Sequence, residues 1–227
     1  MVSTRSHPST FPDGDMSPSK SPSKRTNAFG AYTWSHVPNA VIVAWLAISL
    51  PLVVWDFMYI FLRPYSMPGG AWHAPIWSPY AYYVDVDYVY GFPALEAGSG
   101  FPAAQSALNA VETALYAVYL AYVYRGHKVA DAGVVGRKLV GRDAALAVTV
   151  GFAAAVGTVS KTVLYWLIEY FGAYSNIGHN EPWTLFWLWI VPNGLWLLFP
   201  AYMIYILGGE IVDGLETAAG RPRKKVL

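Results

Sequence analysis

Four stretches of the chain stay apolar for about the 20 residues that a bilayer's hydrocarbon core demands of a helix. They run over about Val41–Leu62, Ala103–Tyr124, Ala144–Tyr170 and Trp183–Leu207. Polar segments of different character separate them. A long aromatic loop, Arg63–Pro102, contains Pro68-Gly69-Gly70 and many Trp and Tyr residues. A basic loop, Arg125–Arg142, follows the second stretch, and a short loop without Lys or Arg, Phe171–Pro182, follows the third. The pattern predicts an all-α membrane protein, a bundle of four transmembrane helices. Residues 1–36 are rich in Ser, Pro, Lys and Arg and poor in aliphatics. Such a segment buries too little apolar surface to offset its ordering entropy, so it is expected to be disordered. The reading is thus a cytosolic segment 1–36, a membrane domain 37–212 and a basic tail 213–227.

Charge placement adds an orientation. Arg5, Lys20, Lys24 and Arg25 lie before the first span; Arg125, Lys128, Arg137, Lys138 and Arg142 lie in the second loop; Arg221, Arg223, Lys224 and Lys225 lie in the tail. The other two loops hold only Arg63. Positively charged loops stay cytosolic, and four spans put all three basic segments on that side, so both termini are expected in the cytosol. The Trp and Tyr residues of the first loop fall on the opposite side, as an interfacial belt or as a lid. Lys224-Lys225-Val226-Leu227 resembles a dilysine retrieval signal, which implies the endoplasmic-reticulum membrane.

Composition narrows the chemistry. Of the 227 residues, 55% are hydrophobic and 13% charged, far from the roughly 25% charged of a soluble domain. A net charge of +1 gives no bulk attraction to nucleic acid, and the absence of cysteine excludes disulfides, thiolate catalysis and Cys-ligated metals. No His, Asp or Glu spacing resembles a metal site, and His73 and His179 lie in loops. No cofactor is expected.

Ionisable groups inside a span are costly and mark either function or buried pairing. The spans carry Asp56, Glu112, Lys161 and, near an interface, Glu169. On the second span Gln105, Asn109, Glu112, Tyr116 and Tyr119 repeat at helical spacing and form one polar stripe. Thr158, Lys161 (or Thr162) and Tyr165 share a face of the third span; Trp189, Asn193 and Trp196 share one of the fourth. Lipid cannot satisfy such stripes, so they must face each other or a cavity. Glu112 and Asp56 are the candidate catalytic acids. Lys161 is either a ligand contact or the structural partner of one of them, and Asp56 has Arg63 two turns later as a pairing partner. Asn109 and Asn193 either line a binding site or join helices by hydrogen bonds. An indole face at Trp189 or Trp196 could hold a cation.

Four pieces of sequence carry a family resemblance. Asn109-Ala-Val-Glu112-Thr113 is similar to an intramembrane Met-Glu-Thr, and Asn193-Gly-Leu-Trp196-Leu-Leu-Phe-Pro200 to Asn-x-Leu-Trp-x-x-x-Pro. Gly157 and the run Val163-Leu164-Tyr165-Trp166-Leu167 to Glu169 match a third-span pattern, and Asp85-Val-Asp87-Tyr88 stands where the family has Asp-x-Arg-Tyr. Over residues 41–212 the chain resembles the EXPERA family, which includes sterol Δ8–Δ7 isomerases of the emopamil-binding type and sigma-2-receptor-like binding proteins. The resemblance implies a four-helix bundle with an internal cavity accessible from lipid that holds sterol-like or amine ligands. It implies proton transfer through a carbocation, with Glu112 as acid and base, Asp56 as a second acid, and Asn193 and Trp196 lining the cavity. Asn109, Tyr116, Lys161, Tyr165 and Trp189 complete the expected substrate site. Leu52, Thr162 and Asp87 stand where the isomerases have His, Asp and Arg, and Lys161 is particular to this chain. The expected function is therefore isomerisation or cyclisation of a sterol- or terpenoid-like polycycle, with a non-enzymatic sterol-binding or trafficking role as the alternative. The expected partners are that hydrophobic small molecule and the lipid bilayer, with no nucleic acid; a homodimer is left open.

Overall fold

Asn39 opens the first long helix. Its Oδ1 accepts from the amides of Val41 at 2.8 Å and Ile42 at 3.3 Å, satisfying two of the donors that a helix N-terminus leaves without partners. In this computed structural model, which describes residues 34–220, α1 then runs over Ala40–Phe61. The first loop contains two short helices, α2 (Tyr80–Val86) and α3 (Phe92–Glu96). Next come α4 (Phe101–Arg125), with Pro102 in its first turn, and α5 (Gly141–Phe171). Three short strands, β1 (Ser35–His36), β2 (His127–Lys128) and β3 (Arg137–Val140), precede α1 or join α4 to α5.

The last helical segment, Pro182–Ala218, is α6 (Pro182–Leu185) and α7 (Val191–Ala218) joined through a π turn at Phe186–Ile190. Pro192 explains the turn. It has no N–H to return to the Leu188 carbonyl, and its ring presses on that carbonyl. The backbone widens instead, and the Val191 amide bonds to Phe186, five residues back.

Three segments are long and apolar enough to cross a membrane: Ala40–Phe61, Gly141–Phe171 and Pro182–Ala218. The protein is therefore mostly helical, with the character of a multi-pass membrane protein. The expected second span, α4, is 25 residues long, roughly 37 Å at the helical rise. Its polar stripe keeps it from reaching the apolarity of the other three.

Helix α5 packs against α4 and α7, and α4 packs against α1. Their shared core includes Ile42, Leu46, Tyr119, Ala147, Val148, Ala155, Met203 and Leu207. Small residues on α5 allow the close approach. A Cβ on Gly151 would stand 3.0 Å from Leu207 and 3.1 Å from Tyr119.

Connections gather at two ends. At one, β1 pairs antiparallel with β3, His36 opposite Leu139, and β2 pairs with the other edge of β3. There the Trp34 indole donates to the Glu210 carbonyl at 3.1 Å, and His36 Nδ1 lies 2.7 Å from Glu210 Oε2. The start of the described chain, the α4–α5 connection and the far part of α7 therefore meet. At the other end the aromatic loop meets the α5–α6 connection: the Tyr88 amide donates to the Asn176 carbonyl at 3.2 Å, and Asn180 Nδ2 to the Val86 carbonyl at 2.7 Å.

Some boundaries differ from the sequence reading. Trp34–His36, expected within the disordered segment 1–36, belong to the folded part, and His36 is fully buried. The expected tail 213–227 begins inside α7, which continues to Ala218, with Trp34 packed on Gly214. The small sheet was not legible: its strands are two to four residues long. The basic residues Arg5, Lys20, Lys24, Arg25, Arg221, Arg223, Lys224 and Lys225, the dilysine included, lie outside the described residues.

Candidate functional site

The polar stripes of α4 and α5 face each other. Lys161 Nζ lies 2.8 Å from Glu112 Oε2, and the same oxygen accepts from Thr158 Oγ1 at 2.8 Å. The Tyr116 hydroxyl sits 3.1 Å from Thr158 Oγ1. Lys161 also donates to Asn109 Oδ1. Glu112, Tyr116, Thr158 and Lys161 are all buried. A buried charge needs this arrangement, a partner of opposite sign with further hydrogen bonds on both. Of the two readings open for Lys161, the pairing with Glu112 is present, and Lys161 still borders the main cavity.

That cavity has a volume of about 460 Å³. Six of the nine expected site residues line it: Asp56, Asn109, Lys161, Tyr165, Asn193 and Trp196. Glu112 and Tyr116 do not. They border a space of about 20 Å³ behind it, together with Trp45, Thr113 and Thr158, room for about one water. Asn109 and Trp196 border both spaces. Trp189 lines neither. It is buried, and its indole donates to Asp87 Oδ2 at 3.0 Å. Asn193 holds the helix around the π turn, with Nδ2 donating to the Trp189 carbonyl at 2.9 Å.

Asp56 projects from α1 into the cavity wall. Arg63 does not pair with it; its Nη1 donates to the Val89 carbonyl at 3.3 Å. Two tyrosines from the first loop serve Asp56 instead. Tyr80 donates to Oδ1 at 2.6 Å and Tyr90 to Oδ2 at 3.2 Å. Burial pushes the phenols of Tyr80 and Tyr90 well above the usual tyrosine range, so both remain neutral donors. Tyr80 is itself clamped by Tyr59, stacked at 3.8 Å between ring centroids. The first loop thus forms part of the cavity wall, through Pro79, Tyr80, Tyr82, Tyr83, Val89 and Tyr90.

A third polar centre lies where the loop meets α5. Asp87 is fully buried and accepts from the Val89 amide at 3.0 Å, from Trp189 and from the Tyr165 hydroxyl. Burial pushes the Asp87 carboxyl up to about 6, against the lowering effect of the Tyr165 and Val89 hydrogen bonds. Tyr165 carries this contact to the cavity, whose wall it forms. Glu169 is buried nearby and accepts from Asn176 Nδ2 at 2.7 Å. The loop histidines have structural partners: His73 Nδ1 lies 2.8 Å from the Ser66 carbonyl, and His179 Nε2 lies 2.6 Å from that of Asp85.

The remaining cavity wall is largely aromatic and aliphatic, with Trp55, Ile60, Phe101, Leu188 and Trp196. Trp196 meets Trp45 edge-on at 5.2 Å between centroids. Sequence reading missed Tyr80 and Tyr90, because a loop of many tyrosines offers no spacing that singles out two. The available signal was Asp56 itself, since an acid inside a span demands hydrogen-bond donors.

No family model, curated protein or solved structure matches the chain.

Proposed function

We propose that this is a membrane-embedded isomerase or cyclase acting on a hydrophobic polycycle, sterol- or terpenoid-like, by proton transfer through a carbocation. The observation that carries the reading is Asp56, a carboxyl on the wall of an aromatic cavity of about 460 Å³ with two tyrosine hydroxyls on its oxygens. The resemblance of the sequence to EXPERA proteins supports it. In this reading α1, α4, α5 and α6–α7 all span the bilayer, and the cavity between them opens to lipid. The protein resides in the endoplasmic reticulum with both termini cytosolic.

The reaction follows from the wall chemistry. Protonated Asp56 gives its proton to a substrate double bond and becomes a carboxylate. Hydrogen bonds from Tyr80 and Tyr90 stabilise that anion. The carbocation is held against aromatic faces, Trp55 and Trp196 among them. Either the cation loses a proton from a different carbon back to Asp56, which is isomerisation, or a second double bond attacks it first, which is cyclisation. Both routes return Asp56 to its starting state. Glu112, the first expectation for the acid, has the positioning role of holding Lys161 at the cavity edge.

Asp56→Asn keeps the shape and removes the transferable proton. Product formation from a sterol or terpenoid pool should fall by about 10² or more, the usual scale for a general acid or base, while ligand binding changes much less. Full turnover in well-folded Asp56→Asn protein would refute the assignment. The binding-protein reading is favoured by one observation, that Glu112 is already neutralised by Lys161. It expects saturable ligand binding and no product from the wild type.

A further inference from the structure

We infer that the ligand of the main cavity is a neutral polycycle bearing a carbonyl oxygen, and that Lys161 and Asn109 donate to that oxygen. This rests on the reading of the cavity as a polycycle site and narrows its ligand class.

An ammonium has three hydrogens and no acceptor capacity. Among the described residues, Asn109 Oδ1 and Glu112 Oε2 accept from Lys161. One hydrogen is left, on a residue that lines the cavity. Asn109 is constrained by the same chemistry. Because Lys161 only donates, the Asn109 amide must turn its oxygen to Lys161 and its NH2 group away. Asn109 also lines the cavity, and among the described residues its Nδ2 donates to nothing. The neighbouring hydroxyl does not offset this, since Thr162 Oγ1 donates to the Thr158 carbonyl at 2.8 Å; Gln105, whose Nε2 donates to the Lys161 carbonyl at 3.4 Å, adds one acceptor, its Oε1, to the same lining. This part of the wall therefore presents mainly donors, and a donor left without an acceptor in a desolvated site is costly.

Charge selects among acceptors. The Glu112–Lys161 pair is neutral as it stands. A ligand carboxylate would add an uncompensated charge to a buried site whose Glu112–Lys161 pair is already balanced and whose Asp56 is neutral in the proposed resting state. A ligand amine would bring a second cation to Lys161. A ligand hydroxyl would bring a proton that itself needs an acceptor. A ketone or enone oxygen has two lone pairs and no proton, so it meets both donors without adding charge.

The test uses the full-length protein in nanodiscs and steroids of one skeleton: monoketones with the oxygen at either end, the parent hydrocarbon and the matching amines. At least one ketone should bind about tenfold or more tightly than the hydrocarbon, the scale of a hydrogen bond from a charged group, and the amines should bind worst. The carbonyl stretch of the bound ketone should fall to lower frequency in the infrared difference spectrum. In Lys161→Met/Glu112→Gln, which removes both charges together, the shift and the ketone preference should disappear. Equal affinity for ketone and hydrocarbon, preference for an amine, or a carbonyl stretch unchanged by the double variant would each overturn the inference while leaving the polycycle reading intact. Binding of none of these steroids would overturn both. The comparison among ligands needs no variant, so it stands even where the double variant folds poorly.

Discussion

At the scale of single residues, Asp87 is the carboxyl with a titration to measure. Its burial is opposed by three donors: Tyr165, Trp189 and the Val89 amide. With its carboxyl pushed from 3.8 to about 6, the folded protein holds a proton over this range that the unfolded chain has released. Stability is then greatest at the acid end for this group and declines as pH rises from about 4 to about 6, by up to roughly 3 kcal/mol. Above that range the contribution is flat. Asp87→Asn removes the titration, so the pH dependence of Tm between these values should flatten. Thermal unfolding in detergent across that range checks it, and an unchanged slope would place the titrating group elsewhere. The sequence marked Asp87 only as a departure from a loop motif. Its partners Tyr165 and Trp189 lie 78 and 102 residues away in the chain, so no local pattern could join them.

At the scale of elements, the α4–α5 seam contains the buried Glu112–Lys161 ion pair. Glu112→Gln removes the negative charge and leaves Lys161 buried with Asn109 and a neutral amide. Breaking a buried pair from one side costs about 3–5 kcal/mol, so yield and Tm should fall sharply. Adding Lys161→Met removes the orphaned charge and should restore most of the loss. The measurement is thermal unfolding of the single and double variants in the same detergent. Near-wild-type stability in the single variant would mean that the pair contributes little to folding. Here the helical spacing was informative. It placed Asn109, Glu112 and Tyr116 on one face of α4, and Thr158, Lys161 and Tyr165 on one face of α5. It could not say that the stripes would close on each other so tightly that Glu112 lies behind the main cavity while Lys161 remains on its edge.

At the scale of the molecule, two sets of connections lie at opposite ends. Trp34, the β2–β3 connection and Glu210 meet at one; the aromatic loop and Asn176 meet at the other. Among the described residues, Arg125, Lys128, Arg137, Lys138 and Arg142 lie at or beside the first end and the Trp and Tyr residues of the first loop lie at the second, an asymmetry of the kind that orients membrane proteins. Epitope tags at the N-terminus, at Gly133 and at the C-terminus should all be reached by antibody from the cytosolic side of intact microsomes. A tag at Asn176 should be protected until the membrane is permeabilised. Exposure of the Asn176 tag in sealed vesicles would remove the four-span orientation.

Some of this was decided by the sequence alone. Long apolar runs commit the backbone to helix, because a chain in lipid must satisfy its own amides. Three such runs meet the length and apolarity that a membrane requires, and the acids and the lysine within the helices could be named as the residues whose burial needs an explanation. Periodicity also assigned Glu112 and Lys161 to a helix face. Only the tertiary structure decided which face met which. Pairing Glu112 with Lys161 rather than leaving it on the cavity, and giving Asp56 to Tyr80 and Tyr90 rather than to Arg63, depends on how α1, α4 and α5 rotate and how the first loop folds back over them. Those choices are set by side-chain packing between elements far apart in sequence, where a shift of one helical turn exchanges every partner.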